Sequence, residues 1–140
     1  MTDNVTDVTR LALLRHGACE GGEIFRGSTD VPLSDDGWQQ MSAAIDSCDD
    51  WDYIVTSPLQ RCQSFAADLA QRTGASLEVD EDLREMHFGD WEGQAIRDIW
   101  ARDAAFCRRF FSDPVNHTPP QAEPMLDVDQ RVAASWQRSI

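Results

Sequence analysis

The sequence predicts one α/β domain with a largely parallel sheet. Short apolar runs alternate with amphipathic segments in the order strand, helix, strand, helix, strand, helix, helix. The helical segments open and close on residues suited to helix ends. The 140 residues, 41% of them hydrophobic, are enough for one core and little more, so the domain is taken as 1–140.

The elements follow in order. Residues 10–14, Arg-Leu-Ala-Leu-Leu, read as a buried strand that breaks at Arg15-His16-Gly17. Residues 18–33 are rich in Gly, Asp and Ser and read as loop. Ser34 suits an N-cap, with Asp35 and Asp36 in the first helical turn and Trp38, Met41 and Ile45 on the core face. Gly37 inside that helix is a cost. Residues 53–56 form a second strand. Ser57 and Pro58 then open a helix that runs to about Arg72, stops at Gly74 and turns Leu59, Cys62, Phe65, Ala66 and Leu69 inward. Residues 76–79 alternate as a third strand. A helix over 95–111 buries Ile96, Ile99, Trp100, Phe106 and Phe110. Residues 113–124 hold four prolines and form a loop. A final helix over 126–138 carries Val128, Val132 and Trp136.

Composition excludes several classes of function. The net charge is −13, and all 12 basic residues are arginine. Nucleic acid and anionic membranes are therefore unsuitable partners. No apolar run reaches the roughly 18 residues of a membrane span. Residues 1–9 are acidic and polar, unlike a secretory signal. The cysteines at 19, 48, 62 and 107 show no metal-ligand spacing and are expected as reduced thiols in the cytoplasm. A phosphate site on so acidic a chain would have to be built from a few focused arginines and helix N-termini.

Two predicted strand ends concentrate such groups. The first ends at Arg15-His16. The second ends at Thr56-Ser57 and leads into a helix whose first turn carries Arg61. Ligands collect at the carboxyl ends of strands in open α/β sheets, and the planar guanidinium fork matches phosphate oxygens. An isolated Arg-His-Gly tripeptide is weak evidence, because a histidine at a strand end is often only a satisfied structural residue.

The surrounding segments change that weighting. Leu13-Leu14-Arg15-His16-Gly17 resembles the signature of the histidine phosphatase superfamily, which includes the phosphoglycerate mutases. Further along, Asp30-Val31-Pro32-Leu33-Ser34 with Gly37 and Gln40, then Ser57-Pro58-Leu59-Gln60-Arg61, then the segment from Leu83 through Glu85 and Phe88-Gly89 to Trp91-Glu92-Gly93 resemble its later motifs in order. The resemblance implies a three-layer α/β/α sandwich of the phosphoglycerate mutase type. It implies hydrolysis of a small-molecule phosphomonoester with no cofactor and no metal. His16 would be the nucleophile and Glu85 the general acid and base, while Arg15, Arg61 and Gly17 would hold the phosphoryl group. Glu92 competes for the acid role, but Glu85 matches the family position. His87 is expected at the site edge or surface, His117 exposed, and Cys19 without a metal role.

The loop Ala18-Cys19-Glu20-Gly21-Gly22, the run Phe25-Arg26-Gly27 and the stretch from Phe110 to Glu123 look more like the α-ribazole phosphatases than the mutases. That subfamily removes the 5′-phosphate of α-ribazole phosphate in cobalamin synthesis, and Arg26 would face its phosphate or ribose. Gln121-Ala122-Glu123-Pro124 stands where the family has Gly-Gly-Glu-Ser, which leaves Glu123 unassigned. The family also places a later strand, ending in a second histidine, between the first and second strands of this chain. The sequence is therefore expected to be the N-terminal portion of such a domain, C-terminally incomplete. Three readings follow: an active phosphatase, an inactive truncated one, and a phosphate-binding module. A mutase-like or broad sugar-phosphate activity is the alternative to α-ribazole phosphate. Oligomeric state is not legible.

Overall fold

A computed structural model describes residues 8–45 and 50–140. The expectation for residues 1–7 and for Cys48 therefore lies outside the described residues. The fold class is α/β with a parallel sheet, as the sequence predicts. Helix α1 (Asp35–Ile45) precedes strand β1 (Tyr53–Thr56), helix α2 (Gln60–Thr73) and strand β2 (Ser76–Val79). Helices α3 (Ile96–Ser112) and α4 (Met125–Ser139) follow, after 3-10 turns at Glu81–Leu83 and Gly89–Trp91. β1 and β2 pair in parallel, Tyr53 opposite Ser76 and Thr56 opposite Val79, with α2 as the crossover.

The first expected strand differs. Residues 10–14 pair with no strand among the described residues. Leu13 is 85% exposed, and Leu11 and Leu14 are also exposed. A strand is defined by its ladder, and no neighbour is in place to accept one here. What tethers the segment is Arg10, which donates to the Asp50 carbonyl at 3.1 Å and lies 4.8 Å from the centre of the Trp51 ring.

Two apolar clusters hold the rest. Leu33, Met41, Ile45, Phe65 and Leu69 bury the facing sides of α1 and α2, with Trp38 packed against them. Phe25, Met86, Trp91, Ile99, Cys107 and Phe110 form the second, around α3. α3 is broken at Asp103, whose φ of −149° and ψ of 68° are not helical; its carboxylate accepts from the Phe106 amide and restarts the helix. α4 departs from expectation: Val132 and Trp136 are exposed and Ser135 is 1% exposed. Ser135 is drawn inward because its hydroxyl donates to the buried Asp80 carboxylate at 2.7 Å. Arg138 donates to the same carboxylate.

Helix α2 begins at Gln60, not at Ser57-Pro58, and Leu59 at its N-cap offers no side-chain acceptor. The cap comes from another segment. Asp30 Oδ1 accepts from the Gln60 amide at 2.8 Å, and the Asp30 carbonyl accepts from the Gln60 side chain. A carboxylate there also opposes the positive end of the helix dipole. At the far end Gly74, at φ 78°, closes the helix by donating to Ala70, as its glycine suggested.

Candidate active site

The His16 region is positioned by backbone contact with α1. A Cβ on Gly17 would lie 2.3 Å from the Gly37 carbonyl oxygen, and one on Gly37 would lie 1.9 Å from the Ala18 carbonyl oxygen. The apparent cost of Gly37 inside a helix thus has a reason: the helix backbone lies against the loop that carries His16. Three polar contacts fix the same loop. The Ser34 amide and hydroxyl both donate to the Ala18 carbonyl, and Gln40 Oε1 accepts from the Ala18 amide at 2.9 Å. Ser34 also accepts from the Gly37 amide, completing the predicted N-cap of α1.

His16 Nδ1 lies 2.9 Å from the Gly17 carbonyl oxygen. A carbonyl can only accept, so Nδ1 carries the proton and the Nε2 lone pair is free. Cys19 Sγ sits 3.7 Å from the same Nδ1 and 3.4 Å from the Gly17 carbonyl, to which it donates. Arg15 is exposed, with no hydrogen bond or ion pair to any described residue.

Arg61 is only 2% exposed. Its two terminal nitrogens donate to the carbonyls of Thr29, at 3.1 Å, and Gly27, at 2.6 Å. Among the described residues no carboxylate pairs with it, and its Nε has no partner. A guanidinium buried without a counter-ion is an unusual expense in a folded domain. It is what a site for a dianion requires.

Glu92, the rival acid, is committed elsewhere. Its carboxylate accepts from the amides of Ser28, Thr29 and Phe88 and from the hydroxyls of Ser28 and Thr29. Burial pushes its pKa up, but these donors, the Thr29 hydroxyl first among them, outweigh burial and hold it below the ordinary range. Glu92 thereby fixes residues 27–29, whose carbonyls hold Arg61. A group with a lowered native pKa adds stability in full above its unfolded pKa and loses it as pH falls through the native one. Glu92→Gln is therefore expected to destabilise the protein by about 1–3 kcal/mol near neutral pH. The difference from wild type should narrow on acidification, as urea unfolding at a series of pH values would show.

Glu85 is exposed and accepts from the Met86 amide at 2.9 Å. It borders a cavity of about 270 Å³ whose other walls include Phe88, Phe110, Phe111, Met125 and Val128. Cys62 follows Arg61 in α2 and is half-buried. Burial raises its pKa, Arg61 opposes that rise, and Cys19 and Glu85 add to it.

Arg26, expected to face the phosphate or ribose, also serves the local fold, and its Nε has no partner among the described residues. One terminal nitrogen donates to the carbonyls of Cys19, Glu20 and Gly22, so the side chain organises the 19–22 loop. His87 is exposed and accepts at Nδ1 from the Gly89 amide. His117, expected exposed, is half-buried because its Nδ1 donates to the Asp113 carbonyl at the end of α3. Among the described residues no group of three or more His, Cys, Asp and Glu side chains could hold a metal, and no helix is long and apolar enough to cross a membrane. Sequence reasoning missed Arg131, whose role depends on contacts across more than 40 positions of chain.

A sequence model of the histidine phosphatase superfamily (branch 1) matches residues 11–140. The glucosyl-3-phosphoglycerate phosphatase of Mycolicibacterium vanbaalenii is 35% identical over 128 residues, 89% of this chain and 56% of that protein. A solved mycobacterial hydrolase superposes with a TM-score of 0.81 at 32% identity, over 89% of this chain and 62% of its own. The α-ribazole phosphatase of Shigella flexneri does so at 0.73 and 26% identity, over 89% and 64%. The chain spans 37% to 56% of the length of the curated relatives that are at least 35% identical to it.

Proposed function

The chain belongs to the histidine phosphatase superfamily, and from that premise we propose that the protein hydrolyses phosphomonoesters through a phosphohistidine formed on His16. The carrying observation is the 2.9 Å contact between His16 Nδ1 and the Gly17 carbonyl, which leaves Nε2 as the nucleophile. Nε2 attacks phosphorus, and the bond from phosphorus to the leaving oxygen breaks. Glu85 gives that oxygen its proton. Arg61, with Arg15 at the mouth, neutralises the phosphoryl oxygens as charge redistributes. Water then attacks the phosphohistidine, Glu85 takes its proton, and phosphate leaves with Nε2 restored.

For the substrate we propose α-ribazole 5′-phosphate. The cavity beside Glu85 has walls of Phe88, Phe110, Phe111 and Met125, which suit a flat apolar leaving group. The base of α-ribazole is such a group. A second reading, glucosyl-3-phosphoglycerate, is favoured by the 35% identity to the phosphatase of that name. Its polar sugar acid matches the cavity walls less well.

The test is rapid quenching of the protein with an aryl phosphate, then a count of acid-labile, base-stable phosphate on the chain. Wild type should carry it and His16→Ala should not. Label that survives in His16→Ala would overturn the nucleophile. Phosphate binding without label or turnover would instead make the protein a binding module. Comparing kcat/KM for the two named phosphates decides the substrate.

A further inference from the structure

We propose that Arg131 and Glu123 are positioning residues for Glu85, gripping the backbone on both sides of it so that its carboxyl meets the leaving oxygen. This inference rests on the reading of Glu85 as the acid. Residues 84–88 belong to no helix or strand, so no ladder holds the acid in place. The pair supplies the missing hold. One Arg131 terminal nitrogen donates to the carbonyls of Asp82, at 2.7 Å, and Arg84, at 2.6 Å. The Glu123 amide donates to the His87 carbonyl at 2.9 Å, and the Glu123 carboxylate accepts from the His87 amide at 3.3 Å. Contacts on 82 and 84 and on 87 thus bracket Glu85. Between them the Met86 side chain is buried in the α3 core.

The two grips are joined. Arg131 Nε and its second terminal nitrogen meet the two Glu123 oxygens at 2.8 and 2.9 Å, a forked pair with both side chains mostly buried. Such a fork fixes orientation as well as distance. The pair is carried by α4 and by Glu123, two residues before its first residue Met125, so the helix that reads as amphipathic packing also sets the acid. An acid displaced by about 1 Å loses much of its effect even where substrate binding is intact.

Leaving-group dependence separates positioning from general structural support. A p-nitrophenolate departs with little protonation, whereas an alkoxide needs it. Arg131→Met is expected to lower kcat/KM for an alkyl phosphate about 10²-fold and for p-nitrophenyl phosphate less than about 5-fold. Arg131→Lys, which keeps one donor, should recover part of the alkyl activity. Glu123→Gln, which keeps the shape and one acceptor, should show the same selectivity at about 10-fold, and it carries the test if Arg131→Met does not fold. Equal losses on both substrates in the folded Arg131 and Glu123 variants, beside an alkyl-selective loss in Glu85→Gln, would overturn the proposal. Equal losses in Glu85→Gln itself would overturn the acid reading on which it rests.

Discussion

Arg61→Lys is expected to lower kcat/KM for phosphomonoester hydrolysis about 10²–10³-fold and to abolish stabilisation of the protein by inorganic phosphate. The native guanidinium is buried and spans two carbonyls, at Gly27 and Thr29, while leaving Nε unpartnered. A single ammonium cannot donate to both carbonyls and also present a planar fork to a phosphate. Part of the effect should therefore appear as lost stability, because one carbonyl of the pair loses its donor, at about 1–3 kcal/mol. Thermal unfolding with and without phosphate separates the two effects. Wild type should melt higher in phosphate, and Arg61→Lys should not. A variant that keeps the full phosphate-dependent rise would remove Arg61 from the anion site.

In the proposed role, this buried cation also answers the problem set by the overall charge. With a net charge of −13, the surface repels a phosphate dianion at long range. Attraction must come at short range, from a group shielded from the acidic surface. Burying Arg61 lowers the dielectric around it, and withholding a carboxylate partner keeps its charge available. The Glu92 carboxylate is engaged by donors from residues 28, 29 and 88. It acts on the arginine only through the backbone it holds.

What the sequence made legible follows from the range of the interactions. The Ser34 cap, the Gly74 stop and the core faces of α1 and α2 depend on neighbours within a turn or two, and all were readable. His16, Arg61 and Glu85 were singled out by the resemblance of their segments to the family's motifs. Most of the departures share one feature, which is a partner far away in the chain. Residues 10–14 have the apolar run of a strand but no ladder partner among the described residues. The α2 cap comes from Asp30, thirty positions back. Ser135 faces inward because Asp80 sits across from it, which helical periodicity cannot show. Gly37 was readable as a cost but not as a contact.

Gly37→Ala tests that contact most severely. The added Cβ would lie 1.9 Å from the Ala18 oxygen and 2.9 Å from two further Ala18 backbone atoms. No rotamer relieves a Cβ, and all three neighbours are backbone, so α1 or the His16 loop must move. In an open helix the same substitution would stabilise by roughly 1 kcal/mol. Here overpacking should reverse the sign and destabilise by about 3 kcal/mol or more. For a urea slope of roughly 1–3 kcal/mol per molar, the unfolding midpoint should fall by about 1 M or more. Function should fail before folding does. Moving Ala18 disturbs the Ser34 and Gln40 contacts that fix it, and with them the Gly17 carbonyl that orients the His16 ring. Phosphohistidine formation should therefore drop at least about 10²-fold at temperatures where the variant is still folded, because a nucleophile displaced by about 1 Å loses that much. A stabilised Gly37→Ala variant with normal labelling of His16 would mean that α1 does not set the position of the nucleophile.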